Sequence, residues 1–195
     1  MQEFTVRQIE IMEAATSRIS KFGIQNLTIK TLAEDIGLSE PALYRHFKSK
    51  NEILFSLLEY FKTEMKNRIQ SIPLKATDTE ADKLRAIFNS QLQTFVSKPA
   101  IVSVIFAESI FHYEEKLSNK VSEIMDMMQE FVKANISKGK ELGQYNKLIG
   151  ASTLTTIIIG GIRMTVLKWK LSGHKSNLIK DGNAVLDGIL KMIEK

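Results

Sequence analysis

The chain has 195 residues and no cysteine, which excludes disulfides, thiolate metal sites and cysteine nucleophiles. That length admits one or two domains and can bury a core without covalent staples. A formal charge of +5 suggests a polyanionic partner only mildly: ten Lys/Arg stand against nine Asp/Glu over residues 1–72, and seventeen against thirteen over 73–195.

The amino-terminal MQEFTVRQIEIMEAATSR lacks the uncharged apolar run of a signal peptide. With three prolines in all and no sustained strand-type alternation, the spacing predicts helices almost throughout. The first runs from about Thr5 to Phe22, with Val6, Ile9, Ile11, Ala15 and Ile19 among its apolar positions, and stops at Gly23. Thr28 caps a short second helix whose Ile29, Leu32, Ala33 and Ile36 face inward, and Gly37 ends it. Ser39 caps a short third helix, with Pro41 in the first turn, where a missing N–H does no harm. Ser49 and Glu52 form a capping-box pattern that opens a fourth helix, from about residue 49 to Ile72.

Pro73 and the polar run KATDTE follow. Further helices are expected over Thr79–Val96, Ala100 to about His112, Glu114 to about Leu142, Leu148 to about Leu171, and Asn177–Ile193, with Gly143 ending the long amphipathic third of these. In that helix Leu117, Val121, Ile124, Met128, Phe131 and Ile136 recur near helical spacing. The most apolar stretch, Leu148–Ile162, has fifteen uncharged residues before Arg163. A membrane-spanning helix needs about 20. A buried helix, no membrane contact and a cytoplasmic location are therefore expected. The fold class is all-α: a three-helix amino-terminal unit over residues 1–50 and a helical domain over 51–195, joined by the helix from about 49 to 72.

Two short helices hinged at Gly37 make a helix-turn-helix. Ala33, Leu38, Leu43 and Phe47 lock the pair onto the first helix. That leaves Glu40, Pro41, Ala42, Tyr44, Arg45 and His46 to divide between packing and an exposed face. A helix in the DNA major groove offers its amino-terminal residues to base edges. Arginine bonds guanine with two N–H groups, tyrosine and histidine suit phosphate oxygens, and Lys48 and Lys50 lie just beyond for charge neutralisation. The competing reading is an ordinary glycine turn in a helical bundle, with Tyr44 and Phe47 as core.

Residues 11–54 resemble the DNA-binding region of the TetR family of bacterial transcriptional regulators. The resemblance rests on Ile11, Ala14, Ala15, Gly23, Thr28, Ile29, Leu32, Ala33, Gly37, Leu38, Ser39, Leu43, Tyr44, Phe47, Lys50 and Leu54, and above all on the string ALYRHFKSKNEIL. One position departs: Ile19 stands where the family usually has Phe, with Phe22 nearby as a substitute in packing. The resemblance implies phosphate contacts at Thr28, Tyr44, His46 and Lys50, and base reading within Ser39–Arg45, without deciding among Glu40, Pro41, Ala42 and Arg45. Glu40 reads more naturally as solvating the helix start.

The resemblance further implies a homodimer formed through the last two long helices, and a ligand pocket between the middle ones. Two glycines inside TIIIGGIRMT, Gly160 and Gly161, each weaken a helix by about 1 kcal/mol against alanine. Close helix approach is one reason to keep them. Gly188, with Val185 and Ile189, is placed to join that interface. Phe88, Leu92, Phe95, Phe106, Phe111, Met125, Met128 and Phe131 are the pocket candidates, because phenylalanine and methionine suit an adaptable apolar cavity. The same residues read equally as core. Glu108 and His112, four apart, read as a surface couple rather than a metal site.

No nucleophile elbow, phosphate loop or H-E-x-x-H signature occurs, so no enzyme, metal or cofactor is expected. The function expected is a ligand-responsive transcriptional regulator, by family habit a repressor, released from a palindromic duplex operator by an apolar or amphipathic small molecule rather than a sugar or nucleotide. The alternative is a DNA-bound protein that recruits a protein partner without an effector. Effector, operator, target genes and sign of regulation are not written in the sequence.

Overall fold

The computed structural model describes residues 4–106 and 114–195. Phe111, and with it Glu108 and His112, lies outside the described residues. The helices are α1 (Val6–Phe22), α2 (Ile29–Asp35), α3 (Glu40–Tyr44), α4 (Lys50–Gln70), α5 (Glu80–Ser97), α6 (Pro99–Ile105), α7 (Glu115–Glu141), α8 (Ala151–Leu171) and α9 (Leu178–Ile193), with a 3-10 turn over Ile24–Asn26. The one extended pairing among the described residues is a bridge between Tyr145 and Glu194. None of these helices is long and apolar enough to cross a membrane.

Local chemistry sets most of the starts and stops. Thr5 opens α1 with a reciprocal capping box to Gln8, and Gly23 closes it at φ 82°. Thr28 does the same for α2 through Thr31, and Asn177 Oδ1 caps α9 at Lys180. At α4 the Glu52 N–H donates to Ser49 Oγ at 3.1 Å, while the Lys48 N–H donates to the Glu52 carboxylate. That helix ends at Gln70, two residues short of the expected Ile72, where Ser71 turns back on Asn67 and Arg68. The helix expected from Ala100 to His112 is described only over Pro99–Ile105.

Compactness divides the chain into two units: Met1–Glu64 with Lys98–Ser122, and Met65–Ser97 with Glu123–Lys195. The first boundary falls inside the uninterrupted α4.

In the first unit Ile11, Met12, Ala15 and Ile19 of α1, Leu32 and Ala33 of α2, Leu43, Phe47, Ile53, Leu54 and Leu58 are buried. Packing of α6 on α1 explains why residues after Lys98 join this unit. Two polar ties add to it: Lys120 pairs with Glu59 at 2.6 Å, and Asn51 Nδ2 donates to Glu114 Oε1 at 2.5 Å. Val6, the first residue of α1, is 76% exposed, and one expectation about α1 is corrected. Phe22 does not substitute in the core: Ile19 fills that position itself, while Phe22 is 55% exposed with the Arg18 guanidinium 5.2 Å above its ring.

In the second unit α9 packs on both α5 and α8. The approach to α5 is made at Gly182, where an added Cβ would stand 2.5 Å from Leu92 Cδ1. The amino-terminal end of α5 is tied by Glu80, a buried carboxylate that accepts from Lys83 Nζ at 2.6 Å and Asn135 Nδ2 at 2.8 Å. Its own N–H donates to Gln144 Oε1 at 2.8 Å. A buried charge held this way keeps its oxygens satisfied.

Candidate nucleic-acid interface

The turn after α2 is built on Gly37 at φ 63°, a conformation open to glycine at little cost. The Leu38 N–H donates to Ala33 O at 2.9 Å and closes the turn. Ser39 Oγ then accepts from the Ala42 N–H at 3.3 Å, and Pro41 lies in the first turn of α3. The helix is only five residues long, but Arg45 continues in right-handed geometry, and the His46 and Phe47 N–H groups both donate to Leu43 O.

The two faces of this segment separate cleanly. Leu43 and Phe47 are buried, and Ala42 and His46 are half-buried. Glu40, Pro41, Tyr44 and Arg45 are exposed, Tyr44 to 49%. Arg45 makes no ion pair among the described residues, which leaves all its guanidinium donors available. With Lys48 and Lys50 it outweighs the single charge of Glu40. Thr28 is exposed at the start of α2, its hydroxyl 2.9 Å from that of Thr31.

Lys50 is held more tightly than its position beyond α3 suggested. Its Nζ donates to Ile24 O at 2.9 Å, and partial burial lowers its pKa. One of its three donors is thus engaged and two remain. Sequence reasoning missed Arg18. From α1 it reaches Asn26 O at 3.1 Å, Thr31 O at 3.3 Å and the Asp35 carboxylate at 2.7 Å, with only 16% of its side chain exposed. It therefore sets the angle of α2 against α1. Nothing in the local pattern singles out a pair seventeen residues apart.

The pocket candidates are dispersed. Phe88, Leu92 and Phe95 of α5 are buried in the second unit, and Met125, Met128 and Phe131 of α7 are half-buried there. Phe106 belongs to the first unit. Within the second unit, a groove of about 310 Å³ opens between α5 and α9, lined by Arg85, Asn89, Asn183 and Asp187 among others.

The interface candidates divide in two. Gly161 faces the chain's own Val185 and Ile189, at 3.1 and 3.5 Å from an added Cβ, so these three pack against one another within the chain. Gly160 and Gly188 have nothing within 4 Å and are exposed. Gly160 lies among exposed Ile157, Met164 and Leu171 along α8, and Gly188 among exposed Ala184 and Met192 along α9.

Residues 11–57 match the family described as bacterial regulatory proteins, tetR family, and residues 59–192 match the C-terminal region of the YsiA-like protein. The chain is 23% identical to the nucleoid occlusion factor SlmA of Photobacterium profundum over 172 residues, 88% of this chain and 87% of that one. The fatty acid degradation regulator FadR from Bacillus halodurans has the same fold, with a TM-score of 0.85 and 20% identity over 97% of each chain. So has FadR from Bacillus subtilis in complex with stearoyl-CoA, with a TM-score of 0.72 and 21% identity over 93% of this chain and 97% of that one. Buried Leu43 and Phe47 behind an exposed Tyr44–Arg45 face, on a chain matched almost end to end, place this protein in the tetR family of bacterial regulatory proteins.

Proposed function

We propose that the protein is a dimeric, cytoplasmic transcriptional regulator that reads duplex DNA through α3 and is released by an amphipathic small molecule with an apolar chain. The observation that carries the DNA-binding part is the division of Ser39–Lys50 into a buried anchor and an exposed cationic face. Tyr44, His46, Thr28 and Lys50 supply phosphate contacts, and Arg45 is the base reader with the most free donors. One α3 covers too little DNA by itself, so two heads on a two-fold dimer would read a palindromic operator.

The dimer forms through the open faces of α8 and α9. Gly160 and Gly188 sit in their apolar stripes with no neighbour of their own chain. Alanine at either site would strengthen an isolated helix by about 1 kcal/mol. We expect Gly160→Ala and Gly188→Ala to weaken dimerisation instead, measured by sedimentation across a concentration series. Variants that melt higher with unchanged assembly would place the interface elsewhere.

An amphipathic effector is supported by the phenylalanine face of α5 and by the likeness to a FadR that binds stearoyl-CoA. Coupling of about 1.4 kcal/mol lowers operator affinity tenfold, and it requires that the effector prefer the DNA-free conformation. The test is anisotropy of captured genomic fragments bound to the protein, challenged with stearoyl-CoA, stearate and coenzyme A. Release by the acyl compounds but not by coenzyme A is the expected result. If none of them acts, the reading favoured is a DNA-bound protein that recruits a protein partner without an effector.

A further inference from the structure

Within the first unit, α1, α4 and α6 surround a cavity of about 140 Å³. Its floor includes Met12, Phe61 and Ile101, all buried. In volume it is close to a cavity that holds a benzene ring, about 150 Å³.

The lining is not apolar throughout. Glu13 of α1, Tyr60 and Glu64 of α4, and Lys98 just before α6 share it. Lys98 Nζ pairs with Glu64 Oε2 at 2.9 Å and stands 6.0 Å from the centre of the Tyr60 ring. The Tyr60 hydroxyl bonds to Glu64 as well, and its pKa is raised by burial first and by the Glu64 charge next. The Thr16 hydroxyl, also in the lining, donates a hydrogen bond to Met12 O at 2.8 Å. The Tyr60 and Thr16 hydroxyls are therefore engaged, and Lys98 has one of its three N–H groups on Glu64. Glu13 is different: its carboxylate has no ion pair or hydrogen bond among the described residues. Two carboxylates against one ammonium leave an acceptor-rich region of formal charge −1 over an apolar floor.

We propose that this cavity binds a small organic ammonium ion, its ring or short chain against Met12, Phe61 and Ile101 and its N–H groups on Glu13. The charge complements the unpaired carboxylate, and the volume limits the apolar part to about one six-membered ring. A neutral isostere keeps the apolar contact and loses the charge. An anion meets Glu13 and Glu64. The proposal concerns the DNA-binding unit alone and is independent of the effector reading above.

The test uses the full chain with labelled methionine and isoleucine methyl groups, titrated with benzylammonium, benzyl alcohol and benzoate. Benzylammonium should shift the Met12 and Ile101 signals to saturation at millimolar concentration. Benzyl alcohol should bind about fivefold more weakly, the upper range of an exposed charge contact, and benzoate not at all. Glu13→Gln, at an exposed position, should bring benzylammonium down to the alcohol's affinity with no change in Tm. Thr16→Met, which fills the cavity, should abolish both. Equal binding of the three probes, an unaffected Glu13→Gln, or unmoved Met12 and Ile101 signals would each overturn the proposal.

Discussion

Gly139→Ala is expected to destabilise the chain by about 2–3 kcal/mol, although alanine is the better helix former by about 1 kcal/mol. Gly139 is buried in α7, and a Cβ there would stand 2.2 Å from Cε2 and 2.3 Å from Cδ2 of Tyr145. The ring cannot retreat easily, because the backbone around it is pinned on both sides. The Tyr145 N–H donates to Gly139 O at 3.2 Å, the Asn146 N–H to Ile193 O at 2.8 Å, and the Lys195 N–H to Gln144 O at 3.1 Å. Tyr145 is wholly buried, and burial, with the charges of Glu194 and Glu80 after it, raises its pKa. The phenol therefore stays neutral across the working range. Urea unfolding followed by circular dichroism measures the loss. In a Tyr145→Leu background the same alanine should cost much less, which separates the collision from any general effect of substitution. A Gly139→Ala protein as stable as its parent would show that the ring does not press on the helix.

Arg45→Ala is expected to lower affinity for the preferred operator by about 1–3 kcal/mol per half-site and to relax its sequence preference. On a two-fold dimer the loss counts twice. Arg45 is exposed and unpaired among the described residues, so its removal should leave folding intact. Lys50→Ala should act differently. It should weaken binding to all duplexes alike and lower the salt slope by about 1 per head. It also removes the hydrogen bond to Ile24 O, for which a stability loss of about 1 kcal/mol is expected. Anisotropy at several salt concentrations, on captured and scrambled duplexes, separates the two. An Arg45→Ala profile with unchanged preference would make Arg45 a phosphate contact. A variant that binds every duplex as the parent does would remove α3 from the interface.

The positions of the helices were legible because their signals are short-ranged. Thr5, Thr28, Ser39 and Asn177 cap the helix that begins one residue later, and Gly23, Gly37 and Gly143 take positive φ where a segment ends. Each of these choices depends on atoms within four residues, so composition and spacing suffice to find them. The division of the reading segment into a Leu43–Phe47 anchor and an exposed Tyr44–Arg45 face follows from helical periodicity in the same way.

What depends on distant atoms was settled only in three dimensions. A glycine in a helix announces that something is close without saying what. Gly161 meets its own chain, Gly182 receives Leu92, Gly139 receives a tyrosine ring, and Gly160 and Gly188 face open space. Phe22 looked like core and is exposed, because Ile19 already fills the buried position. Arg18 and Asp35, and Glu13 beside Glu64 and Lys98, are brought together by helix packing alone. The sequence by itself determined the all-helical class, the helix-turn-helix and which face of α3 is left exposed, since these rest on local hydrogen bonding and the 3.6-residue period. Tertiary structure decided which small residues admit a neighbour and which charges meet, because both are set by how helix faces pack, and that geometry is shared among segments no local window contains.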